Sequence, residues 1–385
     1  MDQSARANAG IPRITGFLCE LTDPSLAGAH SLDVRGDLAA VVGKAGNVSL
    51  VDVGDPANML LLGSHTEGLK DTEAVLFLDE KHLFVGDHGR ALVIDVSDPG
   101  APKVLPGSDL NCVNSTLNDG PLNDAVRCGD YVFCPNKGVH VVVRGDNPAV
   151  ERGGGYVEVF DVSDPAHMRH AGSFRDPDRG STHGLAVLPE RGLLVYVNQM
   201  RYYNGRRLEF VNPDQRHLAV LDIGGSAGGS PREPVLLGQL AHPDMIGSNQ
   251  VCAEGDYAYA VSIDTDMLSV IDIRDPREPR LVASVDSLSV PVGVCKQGDA
   301  IFVGNNNPAD RPKPLFLEKS RRGLAGKASV VDVRDPQNPR IDNEFLHESL
   351  TGGHQLARSG DALLVTAGGG SDSYFPSLMA LSVED

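Results

Sequence analysis

Short apolar runs separated by Gly, Asp and Pro recur along this chain, and they recur in a fixed order. The most regular run ends in Asp and mostly continues to an Asp-Pro turn. Its copies are SLVDVGDP (49–56), ALVIDVSDP (91–99), VEVFDVSDP (157–165), LAVLDIGG (218–225), LSVIDIRDP (268–276), ASVVDVRDP (328–336) and LMALSVED (378–385). The fourth and seventh lack the Pro. Upstream of each lies an apolar strand, usually a Gly-Asp turn, then another strand, as in AHSLDVRGDLAAVVG (29–43) and HQLARSGDALLVT (354–366). Gly-Asp between two β-rich runs predicts a tight hairpin. A further strand follows the Asp-Pro turn, as in NMLLLGSH (58–65). Each unit therefore reads as a four-stranded antiparallel meander, strands A to D.

Seven such units predict an all-β chain folded as a seven-bladed β-propeller. The last copy stops after its C strand, while PRITGFLCEL (12–21) reads as a D strand without a blade. Joining the two completes blade seven from both termini and removes open sheet edges. Residues 12–385 are then a single propeller domain, and residues 1–11 are expected to be disordered.

The V-x-D-V-S-D-P phrase with its preceding G-D-Y strands resembles the LVIVD-repeat family of bacterial and archaeal propellers, over nearly the whole chain from residue 12. The absence of Trp argues against WD40 repeats. This resemblance implies fold far more than activity, because propellers host enzymes, ligand binders and scaffolds alike.

The net charge of −18 predicts a chain that avoids nucleic acid and anionic membranes. No apolar stretch approaches a membrane span and no signal-peptide core opens the chain, which places the protein in the cytoplasm as an expectation. The six cysteines form no CxxC pair and read as buried thiols. No phosphate loop or dinucleotide fingerprint is present, so no nucleotide cofactor is expected.

Long insertions fall at one end of the blades, at 105–122 in a D–A loop and at 136–155, 198–217 and 304–327 in B–C loops. Loops elaborated on one face of a rigid scaffold usually carry function. The three B–C insertions hold thirteen Lys and Arg against six acids, a net of +7 on a chain of −18. A positive mouth on an acidic body concentrates small anions; a solvated loop surface is the plain alternative. Asn198, Arg201, Tyr202 and Asn305 in these loops, with Lys44 and His88 in shorter ones, are candidate substrate contacts.

Counting back from the hairpin Gly places His30, Asn123, Asn249, Val292 and His354 at one position, the entrance of strand A. Strand phase adds His183 and either Glu73 or Ala74. Innermost strands line the channel, so these side chains are expected to converge at its mouth. His30, His183 and His354 with Glu73 can hold a divalent ion such as Zn, Mn or Fe, leaving positions for water or substrate. Without a metal, one histidine can abstract a proton while a second, or Asn123 or Asn249, stabilises negative charge. A channel of His and Asn that only orders water is the structural alternative. The functional expectation is an enzyme acting on a small anionic metabolite by hydrolysis, elimination or isomerisation, with His30, His183 and His354 catalytic. The other expectation is a non-catalytic propeller that binds a protein partner through its inserted loops.

Overall fold

The computed structural model describes residues 10–112, 122–136, 155–175, 182–199, 217–306, 326–367 and 377–385, with the backbone alone at 202–203 and 208–209. Seven antiparallel sheets form the blades of a closed ring. Blade one runs Ala29–Arg35, Leu38–Gly43, Asn47–Asp52 and Leu60–His65, from the inner strand A to the outer strand D. Blade seven joins Gly353–Ser359, Ala362–Ala367 and Ser377–Glu384 to Arg13–Thr22, which pairs antiparallel along the last strand from Arg13↔Glu384 to Thr22↔Ser377. The predicted closure by the N-terminal strand is what the structure has.

The Asp-Pro phrase is a double turn. The Asp ending strand C accepts the N–H two residues on, as Asp52 Oδ1 does from Gly54 N at 2.9 Å, and the Asp before Pro repeats this with Ala57 N at 3.1 Å. Short Asp side chains satisfy turn amides in this way, and Pro presets the following φ. Where the Pro is missing, Asp222 instead gathers the N–H groups of Gly224, Gly225, Ser226, Ala227 and Gly229. Burial opposes its charge, but those donors outweigh it and hold the carboxyl at about 2.

Seven apolar cores lie between blade faces, each built from two adjacent blades. The inward and outward residues of the B and C strands are buried alike, because both sheet faces are covered. Outer D strands alternate exposure, as in Leu60–His65. One detail differs from the sequence expectation. The stretch after Lys103–Val104, expected as part of a D–A insertion, returns to the sheet, so that Lys103–Val104 and Leu110–Asn111 both pair with Arg90–Asp95.

Candidate functional site at the channel mouth

The entrance of strand A is a β-bulge. In blades one, four, five, six and seven the A–B register slips by one residue at His30, His183, Asn249, Val292 and His354. A bulge re-aims a side chain out of the pleat. Glycine after the bulge admits the next blade: a Cβ on Gly184 would lie 2.5 Å from Gln250 Oε1, and one on Gly293 would lie 2.0 Å from the His354 carbonyl oxygen. Glu73, not Ala74, holds the position in blade two: its N–H donates to the Gly86 carbonyl, while Ala74 is a ladder residue packed in a core.

All three histidines are anchored alike. His30 Nδ1 lies 3.3 Å from the Glu73 carbonyl oxygen, His183 Nδ1 lies 2.8 Å from that of Asn249, and His354 Nδ1 lies 3.0 Å from that of His30. In each case the acceptor is the entrance residue of the following blade. A backbone carbonyl only accepts, so Nδ1 carries a proton in each. Thr366 Oγ1 also donates to the His30 carbonyl, at 3.0 Å, bracing the joint between blades seven and one.

The ring divides into three arcs. On blades seven, one and two, the His30 and His354 rings lie 3.9 Å apart between centroids, tilted by 41°. His30 Nε2 is 3.7 Å from Glu73 Oε2, and Lys44 Nζ is 2.7 Å from Glu73 Oε1. On blades three, four and five, His183 Nδ1 lies 2.7 Å from the Asn123 amide nitrogen. Turning that amide over puts Oδ1 against the His183 N–H, and the remaining buried amide atom of Asn123 has no hydrogen-bond partner among the described residues. Asn249 Oδ1 likewise has no hydrogen-bond partner among the described residues. The third arc is apolar: Val292 packs with Ile263 and Val290 in a small cluster apart from the seven blade cores.

The predicted metal set does not come together. Among the described residues no group of three or more His, Cys, Asp or Glu side chains is arranged to hold a metal ion. His183 is tied to blades three and five, and the carboxylate such a set needs, Glu73, is already paired with the Lys44 ammonium.

Other sequence candidates separate by position. Lys44 belongs to the ring through Glu73. Asn305 does not: its Oδ1 accepts from Ser289 N at 2.9 Å, and its amide N–H groups go to the Val303 and Lys327 carbonyls and to Ser329 Oγ. It pins a D–A loop rather than facing a ligand. Asn198 ends strand B at the matching place and is buried, its N–H donating to the His217 carbonyl. His88 lines an open cavity of ≈ 450 Å³ with Gly68, Lys70, Arg90, Asp109 and Asn111, away from the ring. Arg90 there is occupied by Asp87 and Asp109. Tyr202–Tyr203 pairs with Leu208–Glu209 as a small hairpin, and Arg201 lies outside the described residues. The sequence places Val292 at the ring position but gives no sign of the apolar cluster it forms with Ile263 and Val290.

Among the described residues no helix is long and apolar enough to cross a membrane.

Fold and ring together define a seven-bladed β-propeller with a polar inner mouth. Segments 28–67, 76–106 and 247–287 match the LVIVD repeat, so this is a propeller that carries LVIVD repeats. Those matches fall on blades one, two and five. No curated protein matches the chain. Solved structures share the fold at low identity. The computationally designed Ika8 protein is 11% identical with a TM-score of 0.54, covering 96% of this chain and 100% of its own. A functionally unknown protein from Desulfotomaculum acetoxidans DSM 771 is 12% identical with a TM-score of 0.54, over 88% and 95%. Chaetomium thermophilum Raptor is 11% identical with a TM-score of 0.66; all of this chain aligns, over 30% of that protein.

Proposed function

We propose that the channel mouth is a metal-free acid–base site for a small anionic metabolite, and that its reaction is a proton-transfer reaction, an elimination or an isomerisation. The observation that carries this reading is the common anchoring of His30, His183 and His354, whose Nδ1 N–H is spent on a backbone carbonyl, leaving Nε2 as the nitrogen that can take or give a proton at three places in one ring. A histidine held in one tautomer is prepared to take or give a proton near neutral pH. With its Oδ1 turned onto the His183 N–H, the Asn123 amide presents N–H groups that can donate to negative charge at the mouth. The net of +7 on the B–C insertions supplies the attraction for an anion. The Lys44–Glu73 pair favours the metal-free form, because an ammonium on the carboxylate competes with a cation for it.

The test combines elemental analysis with anion binding. Chelator-treated protein is titrated calorimetrically with acetate and inorganic phosphate, beside His30→Ala and His183→Ala. Binding that persists without metal and weakens about tenfold in either variant is the expected result, one charge-assisted hydrogen bond being worth about that factor. Near-stoichiometric metal that disappears in His183→Ala would overturn the metal-free form, and equal binding by all three proteins would overturn the site.

A further inference from the structure

We propose that the molecule taken at this mouth is a carboxylate with a hydrocarbon tail, and that Ile263, Val290 and Val292 are the wall that selects the tail. This rests on reading the ring as an anion site. Val292 holds the ring position in blade six, on the strand next to the one that carries His354: a Cβ on the following residue, Gly293, would lie 2.0 Å from the His354 carbonyl oxygen. Its two partners are contributed by the loops that flank blade six's entrance, not by any blade face.

The second observation is strain. Among the described residues three that are not glycine have positive φ: Asp266 at 55°, Ser287 at 70° and Val290 at 52°. All three lie in the two loops that build this corner. A β-branched residue in the left-handed region is a true outlier, and such outliers persist where surrounding structure over-determines them. Here it does so several times over. Asp266 Oδ1 accepts the Val290 N–H at 2.9 Å, Asn306 N donates to the Val290 carbonyl at 3.0 Å, and Asn305 Oδ1 holds Ser289 N at 2.9 Å. Lys327 Nζ, buried and paired with Glu344, donates to the Ser287 carbonyl at 2.9 Å. Glycine would carry this backbone without penalty. A valine kept against its backbone preference argues that the side chain is what the position needs. His354 lies on the adjacent blade seven, so the hydrocarbon corner sits directly beside the arc that carries the paired imidazoles, Glu73 and Lys44.

The test is a chain-length series of acetate, propanoate, butanoate and 3-methylbutanoate titrated into the full chain, with neutral 3-methylbutanol as a probe of the wall alone. Wild-type affinity is expected to rise by up to about fourfold per added methylene. Val290→Gly relieves the backbone and removes the wall, so it should keep or raise the thermal midpoint while flattening the series to under about twofold overall. Val292→Asn, the residue type of blades three and five at this position, should flatten it too. A flat series in the wild type overturns the wall. So does a Val290→Gly protein that melts earlier and keeps the wild-type series, because the three side chains would then be packing alone. Failure of the anion reading looks different: 3-methylbutanol still binds and still weakens in Val290→Gly, while acetate binding is absent or indifferent to His183→Ala.

Discussion

Two arcs of one ring, on blades seven–one–two and on blades three–four–five, use the same backbone device for different chemistry. In both, a histidine on a bulge donates from Nδ1 to the carbonyl of the next blade's entrance residue. In the first arc the neighbours are charged, with Glu73 and Lys44 paired beside two mutually tilted imidazoles. In the second they are the neutral amides of Asn123 and Asn249 beside a single imidazole. Sevenfold repetition thus fixes where side chains arrive, and the residue chosen at each arrival point makes the mouth polar in two unlike ways. An asymmetric molecule can be oriented by such a ring, whereas a uniform ring has no preferred direction.

The largest expected effect separates the arcs by charge. Lys44→Met takes the ammonium from the Glu73 carboxylate, whose side chain is only 2% exposed. It should lower unfolding free energy by ~3 kcal/mol, as breaking a buried pair from one side does. Adding Glu73→Gln should recover most of that loss in urea melts, and a double variant no more stable than the single one would show that the pair is not what holds this arc.

An intermediate effect is pH dependence on the amide side. Asp124, next to Asn123, accepts the Leu185 N–H at 3.1 Å, and enclosure by protein pushes its carboxyl up to about 7. The folded state therefore holds this proton more tightly than the unfolded chain does. Its contribution is full below the unfolded value near 4 and is lost as pH rises from there through about 7. Asp124→Asn should lose that slope in stability measured from pH 4 to 8; an unchanged slope would remove Asp124 as its source.

The smallest effect is Asn123→Leu, which keeps the volume and deletes the contact with His183. A loss of ~1 kcal/mol is expected, with little change at His30, so an imidazole NMR signal from His30 that moves as far as that from His183 would show the arcs to be one unit.

The propeller was legible because its signals are local. Each Asp of the Asp-Pro phrase binds an amide two residues away, and each Gly-Asp hairpin closes on itself, so both are written into a few consecutive residues. The ring position was legible for a related reason: hairpins of constant length keep His30, Asn249 and His354 in phase. The bulge that aims them was not, since a one-residue slip leaves no mark on composition. Asn305 reads in the sequence as a loop amide facing a ligand, yet its oxygen is taken by the D–A loop and its N–H groups by the B and C strands of its own blade. Nothing near Val290 in the sequence signals a left-handed valine, because the groups that hold it come from positions 266, 305 and 306. The split of the histidines was also beyond sequence, which gives their order around the ring but not their partners.

Arg13–Thr22 finds its partner in Ser377–Glu384, at the far end of the chain. On the ribosome this strand emerges before any blade of the propeller, and it waits unpaired while six complete blades are made. Until the final strand arrives, the nascent chain carries two open edges able to pair with a neighbour. Long-range pairing of this kind is slow to form and exposed to misassembly while it waits. The first strand synthesised is the last to be placed, and ring closure becomes the committing event of folding.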